Sequence, residues 1–331
     1  MKVQRMARIS TFGLLIFMLL LVAGCGRSDK GQAGTVPSER AAVTGGNSSQ
    51  SPTRTVQDAK GEVTIPAEPR RIADISGSTE ELLVLGFQPI LTGNTDMGNP
   101  AEATPLLKEK LDPNTLIGGW FQTEVDVEAV MAAEPDLILA GPTQEKIYDQ
   151  LSRIAPTVRV PYGFNAFRDR FAFVSAVLDK HEVMEQWMAE YEAQAVKDRE
   201  RIQAKTGTEN FAIIEATQKE IRIYSRTGIA DMIYNDLRLP PAPGLPEPDA
   251  WGGKVTSLEG LSTLNPDHLI LMADSSDNVL EKSSIWNSLK AVQAGKVYRM
   301  TSRQNYNEAF FALGKKSLMN QLVEDILKGS Q

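Results

Sequence analysis

The clearest pattern of apolar and polar positions lies midway along the chain, where residues 167–205 contain neither proline nor glycine. In the second half of this block, apolar residues recur at the spacing of one helix face, at Met184, Trp187, Met188, Tyr191 and Ala195. The opposite face is charged. From Met184 to Lys205 such a helix would measure roughly 33 Å, about the width of a small domain. The pattern therefore predicts a long helix that either ties two domains together or packs on a single core.

Shorter elements alternate on either side of this block. Before it, apolar runs predict strands at 71–75, 89–92, 137–140 and 157–160. Periodicity and capping residues predict helices at 78–85, 126–133 and 144–154. The first of these helices starts with Ser78 and Glu81 at the spacing of a capping box. After the block, strands are predicted at 211–215, 221–224, 269–272 and 296–300, and helices at 229–237, 258–264 and 308–328. Such alternation favours parallel sheets with helices on both faces.

The two halves share a sequence pattern. Val127-Glu128 is followed after six residues by Pro135-Asp136 and an apolar strand, and Leu258-Glu259 is followed at the same spacing by Pro266-Asp267 and another apolar strand. The repetition predicts two similarly built lobes, one on each side of the long helix. Because short helix, turn and strand units are common, coincidence is the alternative explanation.

The chain opens with basic residues followed by an apolar run at 12–22. This run is shorter than the ~20 residues that a membrane-spanning helix needs, so the pattern predicts a secretory signal peptide at 1–24. Val22-Ala23-Gly24-Cys25 resembles the bacterial lipobox, and the resemblance implies a lipid anchor on Cys25 at the extracytoplasmic face of the cell membrane. An ordinary secreted protein with a free thiol is the alternative. The small polar residues of 25–54 predict a flexible tether.

Composition excludes several functions. The chain has 331 residues, a formal net charge of -7 and no basic block, which argues against a nucleic-acid partner. A single cysteine allows no internal disulfide, and the two histidines, His181 and His268, are expected at the surface or at helix caps, which weighs against a histidine-rich metal site. The chain lacks a Gly-x-Ser-x-Gly elbow, a P-loop and a Gly-x-Gly-x-x-Gly motif. A lipid-anchored surface hydrolase is the alternative from another functional class.

The order and spacing of several segments resemble one known family, the substrate-binding lipoproteins of iron-siderophore and cobalamin ABC importers. The segments lie at 65–72, 80–86, 127–139, 151–158 and 286–297, and the resemblance extends over about 56–328. Leu178-Asp179 departs from the family, whose members often have Leu-Gly there. The resemblance implies an α/β fold of two similar lobes, each a parallel sheet with flanking helices, joined by one long rigid helix. The lobes would occupy 55–165 and 206–331, with the linking helix region at 166–205.

In this family, one surface glutamate on each lobe meets arginines of the permease subunits. The motif places these glutamates at Glu128 and Glu259. Charges held apart on two lobes suit docking, because charged rims set orientation and association rate. The alternative is that a glutamate in the first turn of a helix is simply favoured by the helix dipole. The expected partners are therefore the permease subunits and the ligand, and the protein is expected to be a monomer.

The ligand is expected in the cleft between the lobes, near the carboxyl ends of the strands. The candidate residues follow predicted strands or lie in glycine-rich loops, at Trp120, Tyr162, Arg226, Trp251, Arg303 and Tyr306. Guanidinium groups pair with anionic oxygens and aromatic rings cover apolar arms, so this set suits a ferric siderophore. Core packing is the alternative for each aromatic residue, and Trp187 and Trp286 are expected in the core. The iron is expected to be held by the siderophore alone, with no cofactor or protein-bound metal.

The small number of cleft arginines favours a hydroxamate over a strongly anionic catecholate. Citrate-type, haem and cobalamin ligands stay open as alternatives. A continuous helix between the lobes resists the hinge bending that strand linkers allow, so only a modest closure on ligand binding is expected.

Overall fold

The computed structural model describes residues 52–123 and 125–329. The predicted signal peptide, Cys25 and the tether up to residue 51 lie outside this part of the chain and stay predictions. The described residues belong to one compact unit that extends from Gln50 to Gln331. Among the described residues, we find no helix with both the length and the apolar character needed to cross a membrane.

The first lobe is built on a fully parallel sheet. The strands of this lobe are β1 (Thr53–Gln57), β2 (Glu62–Pro66), β3 (Ile72–Ile75), β4 (Leu91–Thr92), β5 (Thr95–Asp96), β6 (Asn99–Ala103), β7 (Leu116–Ile117), β8 (Leu137–Ala140) and β9 (Thr157–Arg159). The parallel sheet has the order β7-β4-β3-β8-β9, while β1 with β2 and β5 with β6 form antiparallel hairpins. Every residue of β3 and β8 is buried, as expected for a sheet that is covered on both faces.

Short helices cover the first sheet. They are α1 (Thr79–Val84), α2 (Pro105–Lys108), α3 (Val127–Ala132) and α4 (Tyr148–Leu151), with a 3-10 helix at Pro142–Ile147. The expected helix at 144–154 is therefore split between a 3-10 segment and a single α turn. The expected capping box of α1 is also wrong. The Ser78 hydroxyl bonds to the Ser76 hydroxyl at 2.8 Å, and Glu81 accepts a hydrogen bond from Arg170, so neither side chain caps the helix.

The long helical block consists of two helices, α5 (Phe167–Val177) and α6 (His181–Thr206). The break falls at Asp179, whose φ of 54° lies in the left-handed region. Helix α6 has 26 residues. It joins both lobes, because Met184 lies in the core of the first lobe and Tyr191 in that of the second, while Trp187 packs against both cores. The interpretation of this helix as a tie between two lobes is confirmed.

The second lobe contains a five-stranded sheet of mixed direction. Its strands are β10 (Phe211–Ala216), β11 (Ile221–Tyr224), β12 (Gly253–Thr256), β13 (His268–Met272) and β14 (Val297–Met300). They lie in the order β12-β11-β10-β13-β14. The β10, β13 and β14 strands are parallel, as expected, but β11 is antiparallel to both of its neighbours. Only the turn at 217–220 separates β10 from β11, whereas a parallel crossover needs about a dozen residues.

The helices of the second lobe depart from the sequence prediction at two places. They are α7 (Ile229–Asp231), α8 (Leu258–Leu264), α9 (Lys290–Gln293), α10 (Ser302–Glu308) and α11 (Ala312–Lys328), with a π-helical segment at Met232–Asp236 and a 3-10 turn at Trp286–Ser288. The segment predicted as one helix at 229–237 is mostly π-helical. The closing helix begins at Ala312, after a separate helix α10.

The repeat predicted from the sequence is present in the structure. Helix α3 leads into β8 and helix α8 leads into β13, and each strand is flanked by two parallel neighbours in its sheet. The aspartate of each Pro-Asp turn accepts hydrogen bonds from backbone N–H groups just before a neighbouring strand. Asp136 accepts hydrogen bonds from the backbone N–H groups of Arg70 and Arg71 just before β3, and Asp267 accepts one from Asn210 just before β10. These shared contacts argue against coincidence.

Candidate functional site

An aromatic cluster joins the two lobes. Phe164, in the segment after β9, stacks on Phe310 of the second lobe with ring centroids 3.9 Å apart. The ring centroid of Tyr306 lies 6.4 Å from that of Phe164. Phe121 of the first lobe meets Phe311 at 5.9 Å. Stacked and edge-to-face aromatic pairs bury large apolar area with defined geometry, so they fix how the lobes face each other. Sequence analysis missed Phe164, although it lies just past a predicted strand in the same loop as Tyr162.

An ion pair closes one end of the interface between the lobes. Arg303 of α10 donates from Nε to both carboxylate oxygens of Asp96 in the first lobe, at 2.7 and 2.8 Å, and from Nη2 to the same group. Beside it, the backbone N–H of Met97 donates to Asn307 at 3.0 Å. Burial opposes ionisation of Asp96, but hydrogen bonds from Arg303 and from the N–H of Gly98 outweigh it and lower the pKa of this carboxyl. Asp96 was not among the residues predicted from the sequence.

Arg226 and Trp251 lie beside a second contact between the lobes. Asn165 reaches across from the first lobe and donates to the backbone oxygen of Ala250 at 3.2 Å. Next to this contact, the Trp251 side chain is exposed, and the N–H of Arg226 donates to the backbone oxygen of Gly252 at 3.2 Å. The Arg226 side chain is also exposed and has no hydrogen bond or ion pair with another described residue. The two predicted residues therefore lie on adjoining loops with their side chains exposed.

Gly252 makes this arrangement possible. Its φ is 84°, and a Cβ at this position would lie 2.2 Å from the hydroxyl oxygen of Thr227. That hydroxyl donates to the backbone oxygen of Trp251 at 2.7 Å. The close approach therefore fixes the loop that carries Trp251 against the loop that carries Arg226.

The centre of the interface is polar beneath its aromatic surface. The hydroxyls of Tyr306 and Tyr224 lie 2.6 Å apart, and both are within hydrogen-bond reach of Glu215, at 3.4 and 3.1 Å. Burial raises the pKa of both phenols, with the charge of Glu215 acting in the same direction. The phenols therefore stay protonated and can donate. Tyr224 and Glu215 lie within predicted strands, where sequence patterns do not distinguish a side chain in a site from one in the core.

Two other predicted residues differ in their placement. Trp120 packs at the edge of the aromatic cluster, with its ring 6.3 Å from that of Phe121. The Tyr162 ring instead lies against Phe173 of α5, at 6.1 Å, and the structure does not bring it together with the arginines. The two tryptophans expected in the core are both partly buried, Trp187 between the lobes and Trp286 against the second lobe's core.

The expectation that Arg226 lies at the same sheet edge as Arg303 is wrong. Because β11 is antiparallel to β10, its carboxyl end lies at the opposite edge of the sheet from the carboxyl end of β14. Arg226 and Arg303 therefore do not share one sheet edge, as the sequence had suggested. From the first lobe, Asn165 contacts the loop that carries Trp251, and Asp96 contacts Arg303.

The two candidate docking glutamates occupy equivalent places. Glu128 lies in the first turn of α3 after the capping residue Asp126, and Glu259 in the first turn of α8 after the capping residue Ser257. Both glutamates are exposed. The pKa of Glu259 is lowered by hydrogen bonds to its carboxylate from the backbone N–H of Glu259 and from the Ser257 hydroxyl. The pair is thus placed for contact with a partner, and each member is also favoured by its own helix dipole.

The two histidines have different environments. His181 is exposed at the start of α6 and lies 3.1 Å from Glu185, as a surface residue would. The expectation of a surface or capping role is wrong for His268, which is buried. Its ring bonds to Tyr298 at 3.0 Å and to Glu209 at 2.8 Å, and it stacks on Phe211. Burial lowers the pKa of His268 although Glu209 opposes the effect.

Comparisons with known proteins agree with this architecture. The chain is 25% identical to the probable siderophore-binding lipoprotein YfiY of Bacillus subtilis (strain 168), with 96% of each chain covered. It is 27% identical to the iron(3+)-hydroxamate-binding protein YxeB of the same organism, covering 86% of this chain and 87% of that protein. Among solved structures, Staphylococcus aureus SirA complexed with staphyloferrin B has the same fold, with a TM-score of 0.66, 23% identity, and 84% of this chain and 99% of that chain covered.

A family model shows how far this similarity extends along the chain. The model of the periplasmic binding protein family matches residues 76–304, which include four strands of the first sheet, the linking helix and the whole second sheet. The match begins just after β3 and ends within α10. The chain therefore belongs to the periplasmic binding protein family.

Proposed function

We propose that this protein captures a ferric siderophore outside the membrane and delivers it to the permease of an ABC importer. The observation that carries the proposal is the interface between the lobes, where exposed Arg226 and Trp251 stand beside an aromatic cluster that both lobes build. The names of the relatives support it, because they describe siderophore-binding and iron(3+)-hydroxamate-binding proteins. One of these names specifies a hydroxamate, the ligand class that the small number of cleft arginines favours.

The residues of the interface suit each part of such a ligand. The Arg226 guanidinium offers several donors to the anionic oxygens that surround the iron. Trp251, Trp120 and Tyr306 offer ring faces to apolar arms. In this proposal the siderophore supplies all the ligands of the iron, and the protein needs no cofactor or metal of its own. Haem and cobalamin are the alternative ligands.

The proposed location of the protein is the extracytoplasmic surface of the cell membrane. Acylation of Cys25 would hold it on the extracytoplasmic face of the cell membrane, and the tether would let the folded unit reach the permease. Glu128 and Glu259 would each meet a basic residue of one permease subunit. A single copy presents both glutamates, so a monomer suffices for docking.

The test is a titration of tryptophan fluorescence. The chain from Gly26 onward contains every described residue, and it would be titrated with a ferric hydroxamate, a ferric catecholate, ferric citrate, haem and cobalamin. We expect quenching that saturates at one equivalent with one ferric class, because Trp251 lies beside the bound ligand. The iron-free forms are expected to bind more weakly.

Arginine variants place the site. Arg226→Ala is expected to weaken binding at least tenfold, which corresponds to about 1.4 kcal/mol. Arg153→Ala is the matched control, since Arg153 is exposed and precedes the amino end of β9, whereas the interface residue Phe164 follows its carboxyl end. Equal loss in both variants, or no saturable response to any of the five ligands, would contradict the proposal. Turnover of a bound compound would instead favour the surface hydrolase.

A further inference from the structure

The ion pair between Asp96 and Arg303 changes the charge that the interface offers to a ligand. Arg303 uses both Nε and Nη2 on the Asp96 carboxylate, which is almost completely buried, with only 3% of its side chain exposed. A guanidinium held in this way has its paired N–H donors occupied by a protein carboxylate, so they are not available to a ligand. Of the two arginines predicted to bind the ligand, Arg226 alone has no such partner among the described residues.

More acidic groups surround Arg303. Asp274 and Glu102 both contribute to raising the pKa of Arg303, after the larger contribution of Asp96. Asp274 also accepts a hydrogen bond from the backbone N–H of Arg303 at 3.4 Å, and Glu102 pairs with Lys108. Lys108 offsets Glu102 and Arg303 offsets Asp96, so the charge of Asp274 leaves this end of the interface negative.

The centre of the interface carries a further anion without a cationic partner. Glu215 accepts from the hydroxyls of Tyr224 and Tyr306, and no Lys, Arg or His in the described chain lies within ion-pair distance of it. Arg222 lies directly opposite Glu215 in the β10–β11 pairing, but its guanidinium pairs with Asp249. An anionic ligand that rested on Tyr306 would thus approach a carboxylate that no cation pairs directly, through partly buried surroundings where charges are weakly screened.

We propose that Asp96, by neutralising Arg303, and Glu215 together make this cleft select uncharged ferric complexes over anionic ones. The inference rests on the proposed function and adds to it the charge of the ligand and the two residues that set it. A ferric complex of three hydroxamates is uncharged, whereas three catecholates leave a multiply charged anion. Like charges placed against a ligand discriminate by repulsion, which is a recognised source of specificity.

The decisive variant is Asp96→Asn. An amide oxygen can still accept from the N–H of Gly98, which donates to Asp96 Oδ1 at 2.7 Å, so the local turn is kept. The change removes the anion and frees the Arg303 guanidinium for a ligand. Glu102→Gln is the matched control, because Glu102 lies in the same hairpin and its removal changes the net charge equally without freeing Arg303.

The experiment compares two probes, ferrichrome as an uncharged trihydroxamate complex and ferric enterobactin as an anionic tricatecholate complex. Their Kd values are measured by calorimetry for the chain from Gly26 onward, and thermal unfolding confirms that each variant folds. We expect the wild type to prefer ferrichrome, and Asp96→Asn to narrow the ratio of the two Kd values by about tenfold. Glu215→Gln is expected to narrow this ratio as well. Glu102→Gln is expected to keep the ratio within twofold of the wild-type value.

A double variant tests the role of Arg303 directly. Asp96→Asn combined with Arg303→Gln is expected to restore the wild-type ratio, because the freed cation is gone. An unchanged ratio in Asp96→Asn, or an equal change in Glu102→Gln, would overturn charge selection while leaving siderophore capture intact. A wild type that prefers the anionic probe would overturn it too. Binding of neither probe by the wild type would instead contradict the siderophore function, and the inference would fall with it.

Discussion

At the residue scale, the buried carboxyl of Glu80 is one of the contacts between the two lobes. Glu80 of α1 is fully buried, and its Oε2 accepts from the N–H of Gly314 in the first turn of α11 at 2.7 Å. Its Oε1 has no hydrogen-bond partner among the described residues. Burial raises the pKa of Glu80 to about 8, with the charges of Glu81 and Glu308 adding to the effect. Near neutral pH the group therefore keeps its proton in the folded protein.

This proton makes stability depend on pH. The unfolded chain releases it near pH 4.5, the ordinary pKa of a glutamate, whereas the folded state holds it up to about pH 8. The contribution of Glu80 is therefore fully present below about pH 4.5 and is lost as pH rises to 8, at up to about 1 kcal/mol per pH unit. Glu80→Gln cannot ionise. The difference in free energy of unfolding between Glu80→Gln and the wild type should therefore shift by about 3 kcal/mol in favour of the variant between pH 5.5 and 8.5.

Urea unfolding at several pH values checks this expectation. Glu128→Gln serves as the control, because Glu128 is exposed and its replacement should leave the pH dependence unchanged. Parallel pH profiles for the wild type and Glu80→Gln would show that the buried carboxyl ionises normally in the folded state.

At the scale of elements, the sequence predicted what depends on local pattern. The apolar run at 137–140 and the capped helix at 258–264 match strand β8 and helix α8, because burial and capping act within a few residues. The direction of β11 and the split of the helical block at Asp179 were not predicted. The first follows from the short connection between β10 and β11, a signal that lies in the loop length and not in the apolar pattern. The second depends on one residue in a left-handed conformation.

The site was harder to predict than the elements. Arg226 and Trp251 follow a strand and lie next to glycines, which are local signals. The pairing of Arg303 with Asp96 joins residues 207 positions apart, and no local pattern reports such a contact. The sequence therefore indicated which side chains carry the chemistry but not which of them are already neutralised by a partner.

The break at Asp179 gives a prediction about one element. Asp179 has a φ of 54°, and a residue with a Cβ costs about 1 kcal/mol more than glycine in this region. Asp179→Gly should therefore be more stable than Asp179→Ala by about 1 kcal/mol, measured by urea unfolding. The order reverses at Ala189, which is exposed within α6, where Ala189→Gly should destabilise by about 1 kcal/mol. Equal stabilities of the two Asp179 variants would mean that the break does not require the left-handed conformation.

At the scale of the whole molecule, three kinds of contact oppose a large opening of the lobes. Helix α6 is a rigid connection packed into both cores. The aromatic cluster around Phe164 spans the interface, and polar contacts cross it through Asn165 and Asp96 among others. Because the helix and the cluster are continuous with the cores, a hinge would have to break packed apolar contacts as well as these polar ones.

Small-angle scattering measures the consequence. For the unit from Gln50 to Gln331, ligand binding should change the radius of gyration by less than about 1 Å, since a continuous helix permits only a small rotation of one lobe against the other. Asp96→Asn without ligand should keep the wild-type radius, because α6 and the aromatic cluster set the distance between the lobes and the ion pair does not. A compaction of several ångströms on ligand addition would contradict the rigid linker. An expanded Asp96→Asn variant would instead show that the ion pair holds the lobes together.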